Sequence, residues 1–298
     1  MRRWMGFAAA VMAAGVLAGC GAEKAAETAV ATVAAADTAA AEEDAGAKQK
    51  AVGGEEAAQA EGESQEAAEL LVAAAASLKN VYEEELIPLF QEQNPGVIVK
   101  GVYDSSGKLQ TQIEEGLEAD VFMSAANKQM DALNEKGLIA SDTMVDLLEN
   151  KIVLIVPSGS ETALTGFEDI AKAESIALGD PAFVPAGQYS EEALKSLGIW
   201  DEIQDRVSFG TNVTEVLAQV AAASAGAGIV YATDAASMPE DVTVIAEAPE
   251  GSLKKKVIYP VAVTANSAHP AEAEAFVGFL QTEEAMAAFA AYGFAPGN

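Results

Sequence analysis

The sequence predicts an α/β fold in two lobes, each a mostly parallel β-sheet flanked by helices. From Leu70 onward, short apolar runs alternate with longer amphipathic stretches, which is typical of folds with parallel sheets. About 230 residues lie in this region, enough for one large domain or two small lobes. A late apolar strand at 256–264 follows a complete second α/β unit. The chain is therefore expected to cross between the lobes twice.

The first predicted lobe combines residues 69–149 with residues 257–298. Its helix after Ser77 places Val81, Leu86 and Phe90 on one face and ends near the turn-forming Asn-Pro-Gly at 94–96. The other elements follow the same alternation of apolar runs and amphipathic stretches. The predicted strands are 70–72, 97–103, 120–123 and 256–264, and the further predicted helices are 108–115, 128–136, 271–280 and 283–292.

The second predicted lobe comprises residues 150–256. Its clearest element is the unbroken apolar run 152–156, which is typical of a central strand and is stopped by Pro157. Further strands are predicted at 175–178, 207–209 and 227–231, with helices at 188–197 and 214–223. Two crossings between lobes make a hinge, and a ligand in the cleft between the lobes can be enclosed from both sides.

The N-terminal residues 1–19 are predicted to be an export signal. Arg2 and Arg3 give a basic start, and the apolar stretch that follows is too short to span a bilayer. Small residues then precede Cys20, the only cysteine of the chain, which resembles a bacterial lipobox. That resemblance implies cleavage before Cys20 and lipid attachment to its thiol. The protein would then be extracytoplasmic and membrane-anchored, at the cell surface or in the periplasm.

The segment after the signal, residues 20–68, reads as a lipidated cysteine followed by a tether. It is rich in Ala, Glu, Gln and Gly, contains no aromatic residue and has almost no large aliphatic residue. Such a segment cannot bury enough apolar surface to offset its conformational entropy. It is expected to be a flexible or partly helical spacer.

Charge limits the class of partner. Residues 69–298 carry 35 acidic residues against 12 lysines and arginines, and Arg206 is the only arginine after the predicted signal. Nucleic-acid binding is excluded, because phosphate contacts need clustered Lys and Arg. An anionic ligand, if there is one, must be held by something other than a guanidinium fork.

Four strand-to-helix turns share one chemical character. Each places small or hydroxyl residues at the carboxyl end of a strand and the start of a helix, where free N–H groups and the positive end of the helix dipole point outward. Ligands of open α/β sheets bind at that edge. A site of neutral donors suits an anion that has no proton to give. The four turns are 75–77, 104–107, 184–187 and 211–214.

The folded region resembles the molybdate-binding proteins of molybdate ABC importers. The most diagnostic stretches are Gly-Asp-Pro…Val-Pro-Ala-Gly-x-Tyr and Gly-Ile-Val-Tyr-x-Thr-Asp-Ala. The resemblance implies a two-lobed periplasmic-binding-protein fold of type II, a molybdate or tungstate ligand in the interlobe cleft, and delivery to permease and ATPase subunits. The matching stretches are 73–78, 103–109, 119–125, 179–189, 228–235 and 259–263.

The resemblance also implies a ligand set. Ser77 and Ser106 would donate hydroxyl and main-chain hydrogen bonds from the first lobe. Ala186 and Val213 would donate main-chain N–H groups from the second, and Tyr231 its phenolic O–H. Molybdenum would be bound only as the oxyanion, with no direct protein–metal ligand and no cofactor, and the protein is expected to be a monomer.

Two residues beside this set depart from the expected pattern. Asp104 adds a carboxylate close to the site, and Gly107 removes a possible donor. Asp104 is interpreted as a helix cap that points its charge away from the ligand. In the alternative interpretation, its carboxylate accepts a proton from hydrogen phosphate and shifts the specificity.

The sequence gives weaker support to other functional classes. His269 is the only histidine and precedes Pro270 at a helix start, so no catalytic triad is expected and the chain is predicted not to be an enzyme. Asp120, Asp180 and Asp234 are explained by turn hydrogen bonds as well as by a cation site. Two alternatives stay open: another tetrahedral oxyanion, sulfate or phosphate, and a tethered surface module without a small ligand.

Overall fold

The computed structural model describes residues 67–297, and the predicted signal 1–19, Cys20 and nearly all of the tether 20–68 lie outside the described residues. No helix of residues 67–297 is both long enough and apolar enough to cross a membrane. The strands are β1 (Ala68–Ala75), β2 (Val97–Asp104), β3 (Val121–Met123), β4 (Val145–Asn150), β5 (Ile152–Pro157), β6 (Ile176–Gly179), β7 (Val207–Gly210), β8 (Ala227–Tyr231), β9 (Val242–Glu247), β10 (Val257–Val263) and β11 (Ala295–Pro296).

The α-helices alternate with these strands. They are α1 (Lys79–Val81), α2 (Ile87–Gln93), α3 (Ser106–Glu114), α4 (Asn127–Glu135), α5 (Pro185–Ser196), α6 (Trp200–Ile203), α7 (Val213–Ala221), α8 (Ala232–Ser237), α9 (Pro270–Phe279) and α10 (Glu283–Ala291). A 3-10 turn, Ala76–Leu78, precedes α1, and a π-helical turn, Tyr82–Leu86, joins α1 to α2. Further 3-10 turns are Ser141–Thr143, Phe167–Lys172 and Gln204–Arg206.

The strands form two sheets. The first sheet has the order β11-β4-β10-β3-β1-β2 and the second the order β7-β6-β8-β5-β9. The chain passes from the first sheet to the second between β4 and β5, with Lys151 alone in between, and returns between β9 and β10. We call each sheet with its helices a lobe. The predicted α/β fold is confirmed.

Both sheets are mixed, so the expectation of mostly parallel sheets is wrong in this respect. β1 pairs in parallel with β2 and β3, and β6 pairs in parallel with β7 and β8. These strands are joined by the helical crossovers that parallel pairing requires. β10 and β5 enter from the other lobe without such a helix and run antiparallel to both neighbours. An apolar run predicts burial on both faces of a strand but not its direction.

The structure extends the sequence prediction at several places. β4, β9, β11, α6 and α8 were not predicted, while α3, α5 and α7 begin one to three residues before their predicted starts. Apolar periodicity becomes visible only where a helix begins to pack on the sheet. The first turns are instead built of small residues such as Gly107 and Gly187, so their start depends on capping and close approach.

An aromatic cluster fills the core between the first sheet and its outer helices. Phe276 of α9 is fully buried, and its ring meets that of Phe90 edge-on at a centroid distance of 4.9 Å. The rings of Tyr82 and Phe276 lie 6.2 Å apart, also edge to face. Edge-to-face pairs add to the stabilisation that burial alone provides. This cluster attaches the C-terminal helices to the lobe that carries β1 and β2.

We expect Phe276→Ala to lower the free energy of unfolding by about 3–5 kcal/mol, because it removes a buried ring and leaves a cavity. Urea denaturation of the variant and the wild type measures this loss. Phe209→Ala is the matched control, since the Phe209 side chain on β7 is 42% exposed, and it should cost less than about 1 kcal/mol. Equal losses in the two variants would contradict the assigned core.

Candidate functional site

A small pocket of about 200 Å³ lies between the lobes, where the carboxyl ends of β1, β2 and β3 face those of β6, β7 and β8. The structure brings all five residues of the predicted ligand set into its lining. The lining residues are Ala75, Ala76, Ser77, Asp104, Ser105, Ser106 and Ala125 from the first lobe and Val184, Pro185, Ala186, Val213 and Tyr231 from the second.

Three α-helices begin at this pocket and present main-chain donors to it. Ser106 is the first residue of α3, and Val213 is the first residue of α7. Pro185 is the first residue of α5 and has no N–H, so Ala186 provides the first amide of that helix. The N–H groups of a first turn have no acceptor inside their own helix. The pocket is therefore lined by donors and by the positive ends of helix dipoles.

The hydroxyl of Ser77 is held by a relay that starts at the crossing between the lobes. Asn150, the last residue of β4, donates from Nδ2 to Thr233 Oγ1 (2.9 Å) and to the hydroxyl oxygen of Tyr259 (3.2 Å). The Tyr259 hydroxyl lies 3.0 Å from Ser77 Oγ. Either hydroxyl can be the donor of this pair. When Tyr259 donates, the Ser77 proton is free to point into the pocket.

Ser106 and Tyr231 meet at Ala125, the second residue after β3. The Ala125 amide donates to Ser106 Oγ at 3.0 Å, and the Tyr231 hydroxyl donates to the Ala125 carbonyl at 3.3 Å. Ser106 therefore keeps its own proton to donate. Burial raises the pKa of Tyr231 well above its ordinary value, so its phenol stays a neutral donor. Ala125 therefore contacts one hydroxyl from each lobe, that of Ser106 and that of Tyr231.

The two lobes touch through their backbones beside the pocket. The Gly107 amide donates to the Phe183 carbonyl at 2.9 Å. A Cβ on Gly107 would lie 2.4 Å from that oxygen, so the approach requires glycine. A second contact joins Gln129 Nε2 to Gln188 Oε1 at 3.2 Å. Gly107 thus permits close contact between the lobes, in addition to the loss of a side-chain donor noted from the sequence.

Asp104 lies at the rim and is occupied by three donors. Its Oδ1 accepts from the Ser105 amide (2.7 Å), from Lys108 Nζ (3.3 Å) and from Asn212 Nδ2 of the other lobe (3.4 Å). The N-cap residue of α3 is Ser105, so the interpretation of Asp104 as the helix cap is wrong, and Asp104 stands one position before the cap. Its carboxylate is turned toward its own helix turn and Lys108, which offsets its charge beside the pocket.

A wider cavity opens next to the pocket and shares Ala76 and Ser77 with it. Its empty volume is about 1080 Å³, against about 200 Å³ for the small pocket. The donors on the walls of so large a cavity lie too far apart to form hydrogen bonds to a small ion from all sides. The small pocket is therefore the better candidate for a compact ligand.

Comparison with known proteins identifies the family. The model of the bacterial extracellular solute-binding proteins matches residues 70–295. The chain belongs to this family. The molybdate-binding protein ModA of Haemophilus influenzae is 39% identical over 236 residues, which cover 76% of this chain and 90% of that protein. YvgL of Bacillus subtilis, provisionally named an ABC transporter substrate-binding lipoprotein, is 36% identical over 236 residues, which cover 79% of this chain and 90% of YvgL.

A solved structure extends the comparison. A substrate-binding domain provisionally assigned to a molybdenum ABC transporter of Clostridium difficile is 35% identical and superposes with a TM-score of 0.60. The match covers 76% of this chain and 98% of that domain. The part of the chain from β1 to β11 is therefore a complete solute-binding body of this family.

Several residues in and around the small pocket were not predicted as site residues. Ala125, Tyr259 and Asn150 support the donors described above, and Ser105 lines the pocket itself. Ala125 and Tyr259 stand in stretches that carried the family resemblance, and Ser105 stands in the same turn as Ser106. Their contacts span up to 182 residues of sequence, as for Tyr259 and Ser77, so no local pattern could reveal them.

Groups suited to catalysis or metal binding do not converge here. Within residues 67–297 no cluster of three or more His, Cys, Asp and Glu side chains could hold a metal ion. Asp180 and Asp234 accept main-chain N–H groups two and three positions away, as expected for turn carboxylates. The turn explanation is wrong for Asp120, which accepts the N–H of the distant Leu71. His269 is the N-cap residue of α9. Arg206 donates to the carbonyls of Ala171, Ala173 and Glu202.

Asp234 is a buried carboxyl group directly behind the pocket. Its Oδ2 accepts from the Tyr231 amide at 3.2 Å, and burial raises its pKa to about 7. A carboxyl group that is harder to ionise in the folded state stabilises the fold most at low pH. This contribution is complete below the unfolded pKa of about 4 and is lost as pH rises through about 7.

We expect Asp234→Asn to become more stable relative to the wild type as pH rises. The amide keeps an acceptor for the Tyr231 N–H and has no charge to desolvate. Urea denaturation at pH 5 and pH 8 should show the variant gaining about 2–3 kcal/mol on the wild type between the two values. Asp201→Asn on the surface controls for the loss of one charge. A difference between Asp234→Asn and wild type that is equal at both pH values would refute the prediction.

Proposed function

We propose that this chain is the extracytoplasmic substrate-binding protein of an ABC importer and that its ligand is molybdate or tungstate. The observation that carries the proposal is the small pocket between the lobes, lined by neutral donors from both and by one carboxylate, that of Asp104. The relatives named as molybdate-binding proteins support the choice of ligand. Ser77 and Ser106 supply hydroxyls, and Ala186 and Val213 supply main-chain N–H groups. Tyr231 supplies its phenolic O–H once that proton turns to the ion from the Ala125 carbonyl, which accepts it in the structure.

The proposed ligand suits a site that only donates. Molybdate and tungstate are fully ionised at neutral pH, so every hydrogen bond to them must come from the protein. Hydrogen bonds to a charged acceptor are shorter and stronger than neutral ones, and a water-excluding pocket strengthens them further. The metal centre stays inside its oxyanion, so we propose no direct protein–metal bond, no cofactor and no catalytic step.

Selection among oxyanions follows from size and protonation. Sulfate is smaller, so donors fixed around a larger ion would stand too far from its oxygens. Phosphate carries a proton at neutral pH and needs an acceptor. Asp104, the one carboxylate that lines the pocket, has its Oδ1 engaged by Ser105, Lys108 and Asn212, and the Lys108 ammonium offsets its charge. Molybdate and tungstate are nearly equal in size, so we expect both to bind.

We also propose how the protein reaches its partners. Cleavage before Cys20 and acylation of its thiol would anchor the chain to the membrane, and residues 21–68 would tether the solute-binding body at the cell surface or in the periplasm. The body would act as a monomer and deliver its ligand to permease and ATPase subunits. The excess of acidic residues supports a role without nucleic acid.

Titration of the purified protein with oxyanions tests the function. A ligand that binds only the folded state stabilises it by about 2.7 kcal/mol at a free concentration of 100 Kd. We expect molybdate and tungstate to raise the melting temperature by roughly 5–10 °C and sulfate and phosphate to raise it much less. A larger effect of sulfate or phosphate would reassign the ligand. No effect of any oxyanion would favour a surface module without a small ligand.

Gly107→Ala tests whether lobe contact is part of binding. The added Cβ would collide with the Phe183 backbone at 2.4 Å, so closure over the ligand should be impaired. We expect molybdate affinity to fall at least about fivefold, since overpacking costs about 1–3 kcal/mol. Isothermal titration gives the affinity, and small-angle scattering gives the compaction on binding.

Gly96→Ala is the matched control for that experiment. A Cβ at Gly96 would meet no atom within 4 Å, so this variant should bind and compact like the wild type. Unchanged affinity and compaction in Gly107→Ala would show that the contact between Gly107 and Phe183 has no part in closure.

A further inference from the structure

We propose that the Ser105 hydroxyl is a further ligand donor in the pocket and helps to set the affinity for the oxyanion. The proposal rests on the proposed function and goes beyond the ligand set implied by the family resemblance. In that set the serine turn after β2 contributes Ser106 alone.

Ser105 presents a buried hydroxyl with nothing to bond to. The residue is 3% exposed, and its Oγ has no hydrogen-bond partner among the described residues. Burial of an unpaired hydroxyl costs roughly 1–3 kcal/mol. The residue lines the small pocket. A ligand that accepts a hydrogen bond from Ser105 Oγ would remove this cost, and the free energy recovered would favour binding.

The other polar groups of Ser105 are already engaged. Its amide donates to Asp104 Oδ1 at 2.7 Å, and its carbonyl accepts from the Leu109 amide at 3.1 Å. Only the hydroxyl is uncommitted. A ligand can therefore bond to Ser105 only through its side chain.

Ser105 also does not perform the usual task of a serine at its position. It is the N-cap residue of α3, where serine normally accepts from an amide of the first turn. No such bond forms here. The Gly107 amide, one of the usual donors, is directed to the Phe183 carbonyl of the other lobe. Contact between the lobes thereby releases the Ser105 hydroxyl from capping.

The neighbouring serine has a different role. Ser106 Oγ accepts from the buried Ala125 amide at 3.0 Å. Removal of Ser106 Oγ would leave that amide without an acceptor and destabilise the ligand-free protein. Removal of Ser105 Oγ leaves no group without a hydrogen-bond partner. The two serines can therefore be separated by experiment, because only Ser106 contributes to the fold before ligand binds.

Ser105→Ala and Ser106→Ala in the purified protein, with molybdate as the probe, test this proposal. We expect Ser105→Ala to weaken molybdate binding about tenfold or more in isothermal titration, as for loss of a hydrogen bond to a charged group. The melting temperature without molybdate should be unchanged or slightly raised. Ser106→Ala should lose both affinity and thermal stability. Ser224→Ala, at an exposed position, is the control and should match the wild type.

The outcomes separate this proposal from the one on which it rests. If the wild type binds molybdate and Ser105→Ala binds it equally well, the role of Ser105 is overturned and the proposed function stands. If Ser105→Ala lowers the melting temperature as much as Ser106→Ala does, Ser105 is structural and the proposal also fails. If the wild type binds no oxyanion, the proposed function fails first, and the proposal for Ser105 falls with it.

Discussion

The free N–H groups in the first turns of α3, α5 and α7 are the constraint on which the rest of the structure depends. A helix has no acceptor of its own for these groups, so their partners must come from outside the helix. The strand orders of the two sheets bring the three helix starts together. One donor, the Gly107 amide, finds its acceptor in the other lobe, at the Phe183 carbonyl. The contact between the lobes therefore also provides this donor with its hydrogen-bond acceptor.

This constraint also explains how an acidic protein can hold an anion. The single arginine of the described region, Arg206, is occupied by main-chain carbonyls, and Lys108 stands against Asp104. The pocket attracts negative charge through oriented dipoles close to the ligand, while the charges on the surface act through water and are screened over roughly 8 Å at physiological salt. Oriented dipoles next to the ligand can therefore attract an anion even though the net charge of the protein repels it.

Features that depend on local chemistry were predictable from the sequence, and features that depend on distant partners were not. The run 152–156 was predicted as a buried strand from its composition alone. The small residues of the turns indicated where helices begin, although the predicted starts of α3, α5 and α7 lay one to three residues late. The direction of β5 depends on its entry from the other lobe. In β4, Val145–Asn150, the apolar residues are interrupted by Asp146 and Glu149, so the sequence did not predict a strand there. Tyr231 came from family resemblance, and Tyr259 acts on Ser77 from 182 residues away.

The repeated strand order has a consequence for the shape of the ligand. β2-β1-β3 and β7-β6-β8 occupy equivalent places, each next to the reversed strand that enters from the opposite lobe. Equivalent strand ends therefore hold the donors of both lobes, which are serine hydroxyls in the first lobe and main-chain amides with the Tyr231 phenol in the second. A tetrahedron has two-fold axes that exchange its four corners in pairs, so two half-sites in equivalent places can each take one pair of oxygens. The geometry of the proposed ion would then match the repeated placement of the strands, although the two halves use different donor groups.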